Sequence, residues 1–485
     1  MDAVSLPYES KVDGPPPRGW GALGELLRLA GPTIVQMASY TVMQFLDTWM
    51  LSLLGTVEPT AAGNASLFSW SFIGFGVGVL FCVNTLVSQS FGQKDYAACG
   101  RIMWQGVWFG VMFAAVALPV IPFARPMFEA LGHEPRLAGL EAQFFSITVA
   151  AAVIKLSAVS FGQFLLAINR PWMVLVAAVC GVSANAIVNC FLVLGWYGAH
   201  RVVPESWTGV AGAAIGTNIG ITVELLVLAV IALRARTRAE FNTLDWRPRR
   251  APLVTLLRIG LPSGGQVVAD VLAWTLFTVW VMAPFGTEAM AANNFVFRYL
   301  SVSFMPAFGI ATAVTALVGR YIGAGDYETA RHRAHLGFWV AMVYMVSCGA
   351  AYVVWRNELI MLFSQEPAVL AVGATLLVFA GLYQLFDALY IIYNGALRGA
   401  GDTMVPFLTT AGLCWAITVC GGWAISRYWP GLGPAGPWWA ATLYGAVLGA
   451  FMFARFARGK WRRIRLDTAG EGDKVRGFAE VGSVR

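Results

Sequence analysis

Apolar stretches of about 20 residues, the length an α-helix needs to cross a bilayer core, recur along the whole of this 485-residue chain. Inside lipid the backbone has no water to bond, so such a chain must fold as helices whose hydrogen bonds are internal. Charged residues make up only 12% of the chain and hydrophobic ones 58%, whereas soluble domains carry about 25% charged residues. Length alone suggests about three soluble domains, and the recurrent apolar stretches override that. The 19 Trp and 31 Phe suit interfacial belts, and the 52 Gly suit close helix packing.

Spans are predicted near 30–54, 66–90, 102–123, 141–166, 172–196 and 208–234, then near 256–284, 296–321, 336–355, 370–396, 404–426 and 437–456. The expected fold is therefore an all-α membrane protein with twelve transmembrane helices. An even number puts both termini on one side. The termini and even-numbered connections, with their edges, hold 26 Lys and Arg, and the odd-numbered connections hold 5. By the positive-inside rule both termini are cytoplasmic. The first twenty residues carry PPP and charges but no apolar h-region, so no cleavable signal peptide is expected.

The net charge of +7 does not indicate nucleic-acid binding. The basic residues lie between and after apolar segments, and RFARGKWRRIR (455–465) directly follows one, as an orientation signal touching anionic lipid does. The seven cysteines show no CxxC or metal spacing, so no disulfide framework is implied. His133, His200, His332 and His335 fall in predicted loops or helix ends. No nucleotide-binding or hydrolase motif is present, which argues against an enzyme and leaves a gradient or a partner to supply energy. No cofactor is expected.

The chain repeats itself. LLRLAGP (26–32) returns as LLRIGLP (256–262), LVSQSFGQKDYA (86–97) as LVGRYIGAGDYE (317–328), and LLAINRP (165–171) aligns more weakly with LRGAGDT (397–403). The offsets are 230, 231 and 232. Ordered matches at nearly constant offset mark an internal duplication. The expected organisation is a cytoplasmic tail (1–25), a six-helix lobe (26–234), a basic linker (235–255), a second six-helix lobe (256–456) and a basic tail (457–485). Six spans per half place the pseudo-two-fold axis along the membrane normal, with a substrate cavity between the lobes.

Ionisable groups inside spans are costly and need a reason. Asp47, Lys155, Glu224, Asp270 and Asp387 qualify. Gln36, Tyr40, Gln44 and Asp47 share one helical face, as do Ser263, Gln266 and Asp270, then Tyr383, Asp387, Tyr390 and Asn394, and then Asn185 and Asn189. Asp270 and Asp387 are the candidate cation-coupling pair, with a Tyr oxygen as a further ligand for Na⁺ or a proton. Interhelical hydrogen bonding is the bland account, and it suits Gln44 and Gln384 better than the two acids. Lys155 aligns with Asp387 at offset 232. It reads either as a working ion pair with Asp47 or as a structural pair or snorkelling stem. Glu224 has no partner visible in the sequence, and Arg298 reads as an interfacial anchor. GQKDY (92–96) and GAGDY (323–327) read as turns in which Asp caps the next helix. Pro32 and Pro262 are either first-turn prolines or bend points.

The chain resembles a multidrug and toxic compound extrusion (MATE) transporter of the NorM-like branch over about 25–460. The resemblance rests on QFLDTWMLSLLG (44–55), LVSQSFGQKDYAACGR (86–101), NAIVNCFLVLG (185–195) with GVAGAAIGT (209–217), LVGRYIGAGDYETAR (317–331) and FDALYIIYNGALRGAGDT (386–403). It implies a V-shaped pair of pseudo-symmetric bundles around a central cavity, and antiport of organic cations against Na⁺ or H⁺ across a plasma (bacterial inner) membrane. Under it, Asp47, Asp270, Asp387 and Tyr383 carry cation coupling, with Na⁺ held by Asp270, Asp387 and Tyr383. Asp270 stands where NorM-like members usually carry Glu. Gln36, Tyr40, Asp47, Lys155, Asn185, Asn189, Gln266 and Tyr390 would line the substrate cavity. The expected partners are membrane lipid, small organic cations and the coupling ion, with function as a monomer. A flippase for lipid-linked precursors would favour a cationic cavity, and a channel would conflict with two closed lobes.

Overall fold

A computed structural model describes residues 16–195, 204 and 207–466; His200 and the basic tail beyond 466 lie outside the described residues. The N lobe begins with α1 (Trp20–Ser52), α2 (Val57–Gly92) and α3 (Tyr96–Ala117). Next come α4, formed by Pro135–Ala150 and Ala152–Ala167 with a 48° bend between them, then α5 (Pro171–Leu192) and α6 (Gly209–Ala232). The C lobe holds α7 (Arg250–Leu276), α8 (Thr287–Gly323), α9 (Tyr327–Val354), α10 (Pro367–Gly399), α11 (Met404–Tyr428) and α12 (Ala435–Ala457). Among the described residues ten helices are long and apolar enough to cross a bilayer alone, and α4 is so as a bent pair. The 33-residue α1 completes the twelve long helices but is not among those, its polar stripe diluting its apolar run. No strand occurs among the described residues.

Several helices outrun their apolar runs. α2 starts at Val57 and α8 at Thr287, because their polar first turns remain compatible with helix. α1 starts at Trp20, inside the stretch expected to be tail. Pro32 and Pro262 are thus interior prolines, which corrects the first-turn reading. Each removes a helix hydrogen bond and frees a carbonyl one turn back. The linker is docked as well. Its helix Ala235–Phe241 buries Phe241 in the N lobe against Phe91, Tyr96 and Phe164. The indole Nε1 groups of Trp104 and Trp108 donate to the carbonyls of Thr243 and Trp246 at 2.8 and 2.7 Å.

The duplication is visible in backbone detail. Asp95 and Asp326 each accept from the amide three residues on, at 3.0 and 2.9 Å, as cap residues do. The residue before each is left-handed, Lys94 at φ 65° and Gly325 at φ 78°. Asn169 and Gly401, one repeat apart, are left-handed too, at φ 67° and 83°.

The lobes meet at one end. α2 packs on α7 and α8, and α1 packs on α8. Glycine contacts between them run from Gly74 to Gly92 on α2, from Gly309 to Gly323 on α8 and from Gly260 to Val267 on α7. A Cβ at Gly92 would lie 2.0 Å from the Arg320 carbonyl oxygen, and one at Gly323 would lie 2.0 Å from that of Gln89. Only glycine permits that approach. Thr85 and Gln89 donate to the carbonyls of Arg398 and Gly399 at 2.9 Å each. Glu25, at the start of α1, pairs with Arg320 (3.4 Å) and Arg333 (2.7 Å) of the C lobe and accepts from Tyr321. Arg320 also donates to Asn169 of the N lobe. Beyond Gly74 the faces of α2 and α1 expose Leu67, Trp70, Phe72 and Phe45. The lobes therefore close at the end bearing the termini and diverge toward the other.

Candidate functional site

In the C lobe, α10 carries Asp387, which is buried, and α7 carries Asp270, half-buried. Asp270 stands one turn past Val267, which lies 3.5 Å from a Cβ built at Gly74, so it sits where the lobes begin to separate. Tyr390 donates to Asp270 Oδ2 at 3.2 Å, and Gln266 Nε2 donates to Tyr390 and to Thr410 Oγ1, each at 3.0 Å. Asp270 Oδ1 is buried with no hydrogen-bond partner among the described residues. The two carboxylates feel each other's charge, and neither forms an ion pair among the described residues. Two like charges in low dielectric repel unless a cation or proton joins them. Tyr383, one turn before Asp387, is buried with its ring edge on Trp274 at 6.0 Å. Tyr444 lies beside Asp270. The predicted set Asp270, Asp387, Tyr383, Gln266 and Tyr390 is thus brought together. Thr410, Trp274 and Tyr444 join it without any signal in the sequence.

The N lobe splits its predicted residues into two layers. In the outer one, Asn189 Nδ2 of α5 donates to Asp47 Oδ1 at 2.6 Å, and Thr217 Oγ1 of α6 lies 3.1 Å from Oδ2. Asn185 Nδ2 reaches Thr217 at 3.4 Å. The amide oxygens of Asn185 and Asn189 are buried and unpartnered among the described residues, so two neutral acceptors accompany the carboxylate. Glycine makes the crowding possible, since a Cβ at Gly216 would sit 1.9 Å from Asn189 Oδ1. The sequence marks Thr217 only by its place at the end of GVAGAAIGT.

Two turns before Asp47 on α1 and two turns after Thr217 on α6 lies the inner layer. Tyr40 donates to Glu224 Oε1 at 2.5 Å, and Gln36 Nε2 donates to Tyr40 at 3.3 Å. Lys155 of α4 interacts with the charge of Glu224 and stands 5.6 Å from the Trp70 ring centroid. Among the described residues Lys155 forms an ion pair with neither Asp47 nor Glu224, so the expected Lys155–Asp47 pair is not present. Glu224, partnerless in the sequence, has the Tyr40 hydroxyl. Gln44 is exposed on α1 and joins neither layer.

Two six-helix lobes that carry carboxylates inside their spans have the frame of a membrane transporter. The chain belongs to the MatE family, whose profile matches residues 32–191 and 267–420. It is 30% identical over 435 residues to a probable multidrug resistance protein NorM from Pseudomonas syringae pv. tomato, covering 88% of this chain and 93% of that one. It is 28% identical over 438 residues to the multidrug resistance protein NorM of Burkholderia vietnamiensis, covering 88% and 92%. Its fold matches an outward-facing multidrug resistance MATE family transporter of the MOP superfamily, with TM-score 0.82 and 18% identity over 91% of this chain and 97% of that one. The eukaryotic MATE transporter AtDTX14 matches with TM-score 0.81 and 17% identity over the same shares. The family is one of multidrug efflux transporters rather than enzymes, and this member is a multi-pass membrane protein with small-molecule cargo.

Proposed function

We propose that the protein is a secondary active antiporter that exports small organic drugs, toxins or metabolites, often cationic and amphipathic, in exchange for Na⁺ or H⁺. The observation that carries this reading is the Asp270–Asp387 pair, which among the described residues has a buried carboxylate oxygen without a partner and no ion pair. Such a pair takes up a cation or proton and releases it when the surroundings change. Aromatic rings around it suit organic cations through cation–π contact. The positive-inside count makes the terminus-bearing closed end cytoplasmic, so the structure is outward-open in a plasma (bacterial inner) membrane. Alternating access then requires the Glu25 pairs and the glycine contacts at that end to part. Two complete lobes in one chain supply a functional monomer.

The test is Asp387→Asn, in which a neutral amide fills the same space. Ethidium efflux from cells is expected to fall to the level of cells lacking the protein, with membrane expression unchanged. Retained efflux contradicts the assignment.

A further inference from the structure

We propose that Arg398 is a specificity-determining residue that receives a carboxylate of the cargo at the base of the C-lobe acid site. The proposal rests on the antiport reading and names a chemical class, organic molecules that carry a carboxylate beside their cationic centre.

An arginine deep in a membrane bundle is costly and asks for a partner. Arg398 of α10 has no acid. Among the described residues no carboxylate pairs with its guanidinium, and its Nε is buried without an acceptor. Two rings hold it instead, one from each lobe. Its Cζ stands 5.3 Å from the ring centroid of Phe81 on α2 and 5.9 Å from that of Phe308 on α8. The two ring centroids are themselves 5.3 Å apart. Aromatic faces orient a guanidinium and leave its fork of N–H groups unspent.

The guanidinium sits well inside the closed end. Phe81 stands 11 residues before Gly92 and Phe308 stands 15 before Gly323, about 16 and 22 Å of helix. The Arg398 carbonyl accepts from Thr85 at 2.9 Å, one turn nearer that end than Phe81. From there the side chain climbs toward the open end, because helical side chains lean toward the start of their helix. Arg398, Phe81 and Phe308 meet across the lobe boundary, yet each stays partly exposed, so a gap remains beside the guanidinium.

The scaffold does not need this charge. At the offset of 232 the N half carries Leu166, which is 5% exposed, so an apolar side chain meets the packing role at the equivalent position. Charge and spacing select the ligand. One guanidinium matches one carboxylate bidentately, whereas a phosphate dianion would keep a surplus charge. On the same helix Tyr390, which donates to Asp270, stands 8 residues before Arg398, and Asp387 stands 11 before it. Those separations are about 12 and 16 Å along the axis. A drug-sized molecule spans them, with its cationic centre at the acids and its carboxylate at Arg398.

The experiment uses the purified full chain in detergent and two dyes that differ in one group, rhodamine B with its free carboxylate and the methyl ester of rhodamine B. Fluorescence anisotropy gives the dissociation constant of each. Arg398→Leu copies the side chain of the other half. It is expected to weaken binding of rhodamine B about tenfold or more, as loss of a charged hydrogen-bonded pair does, and to leave the ester within about twofold. Equal loss of both dyes, or loss of neither, overturns the proposal, as does failure of the unsubstituted protein to bind rhodamine B. A competition on the unsubstituted protein covers failure of the variant to fold. Sodium benzoate, against equal sodium chloride, is expected to raise the apparent dissociation constant of rhodamine B several-fold and to leave that of the ester unchanged. Equal shifts, or none, overturn the proposal. Neither readout needs a gradient. Selective loss of rhodamine B in a protein without gradient-driven ethidium efflux would refute the antiport reading and leave the carboxylate site standing. Gradient-driven efflux with equal loss of both dyes would do the reverse.

Discussion

At the scale of residues, the three acids differ in what surrounds them, and that separates their expected effects. Asp47 has amide and hydroxyl partners on both oxygens, whereas Asp270 has the Tyr390 hydroxyl on one oxygen and a buried second oxygen without a partner among the described residues. Thr217→Ala removes one oxygen from the outer N-lobe layer while leaving the carboxylate. A hard cation held at Asp47 would lose one oxygen ligand, so the driving-cation concentration for half-maximal efflux is expected to rise several-fold. Efflux against a series of cation concentrations measures it, and an unchanged half-maximum removes Thr217 from the site. The acids were legible in the sequence because a carboxylate within an apolar run is costly anywhere. Their partners were less so. Tyr40 and Glu224 are 184 positions apart, and no helical period relates them; only the fold does.

At the scale of elements, glycine sets how the lobes close. A side chain at Gly323 would collide with the Gln89 carbonyl, whereas a Cβ at Gly412 of α11 meets nothing within 4 Å. Overpacking a tight contact costs about 1–3 kcal/mol. Gly323→Val is therefore expected to lower the thermal midpoint in detergent by several degrees and Gly412→Ala to leave it unchanged; equal midpoints would show that the α2–α8 contact contributes nothing. The hydrophobic pattern revealed the helices and their order, since length and apolarity select a span, with α1 falling short of the rest because of its polar stripe. It did not reveal the 48° bend in α4, because TVAAAVIK (148–155) offers neither Pro nor Gly to mark it. Nor did it show that the linker packs, because Phe241, Leu244 and Trp246 are scattered apolar residues in a basic stretch.

At the scale of the whole molecule, the two halves share a scaffold and differ in charge. The repeat was readable from LLRLAGP, LVSQSFGQKDYA and their mates, and the inequality was readable from Lys155 facing Asp387 across the offset. The state of the molecule was not readable, because it depends on pairs such as Glu25 with Arg320 and Arg333, which lie 295 and 308 residues apart. Glu25→Gln leaves Arg333, 2% exposed, without its carboxylate. Spin labels on the terminus-bearing ends of α2 and α8 are expected to report a broader, longer distance in this variant; an unchanged distribution would mean that the pairs do not hold the end shut. The most direct test of cation-coupled export is ethidium movement in proteoliposomes under a Na⁺ gradient and, separately, a proton gradient. At least one gradient is expected to drive ethidium out against its concentration in the unsubstituted protein, and neither should do so in Asp387→Asn. Transport indifferent to both gradients, or equal in the two proteins, would contradict the account.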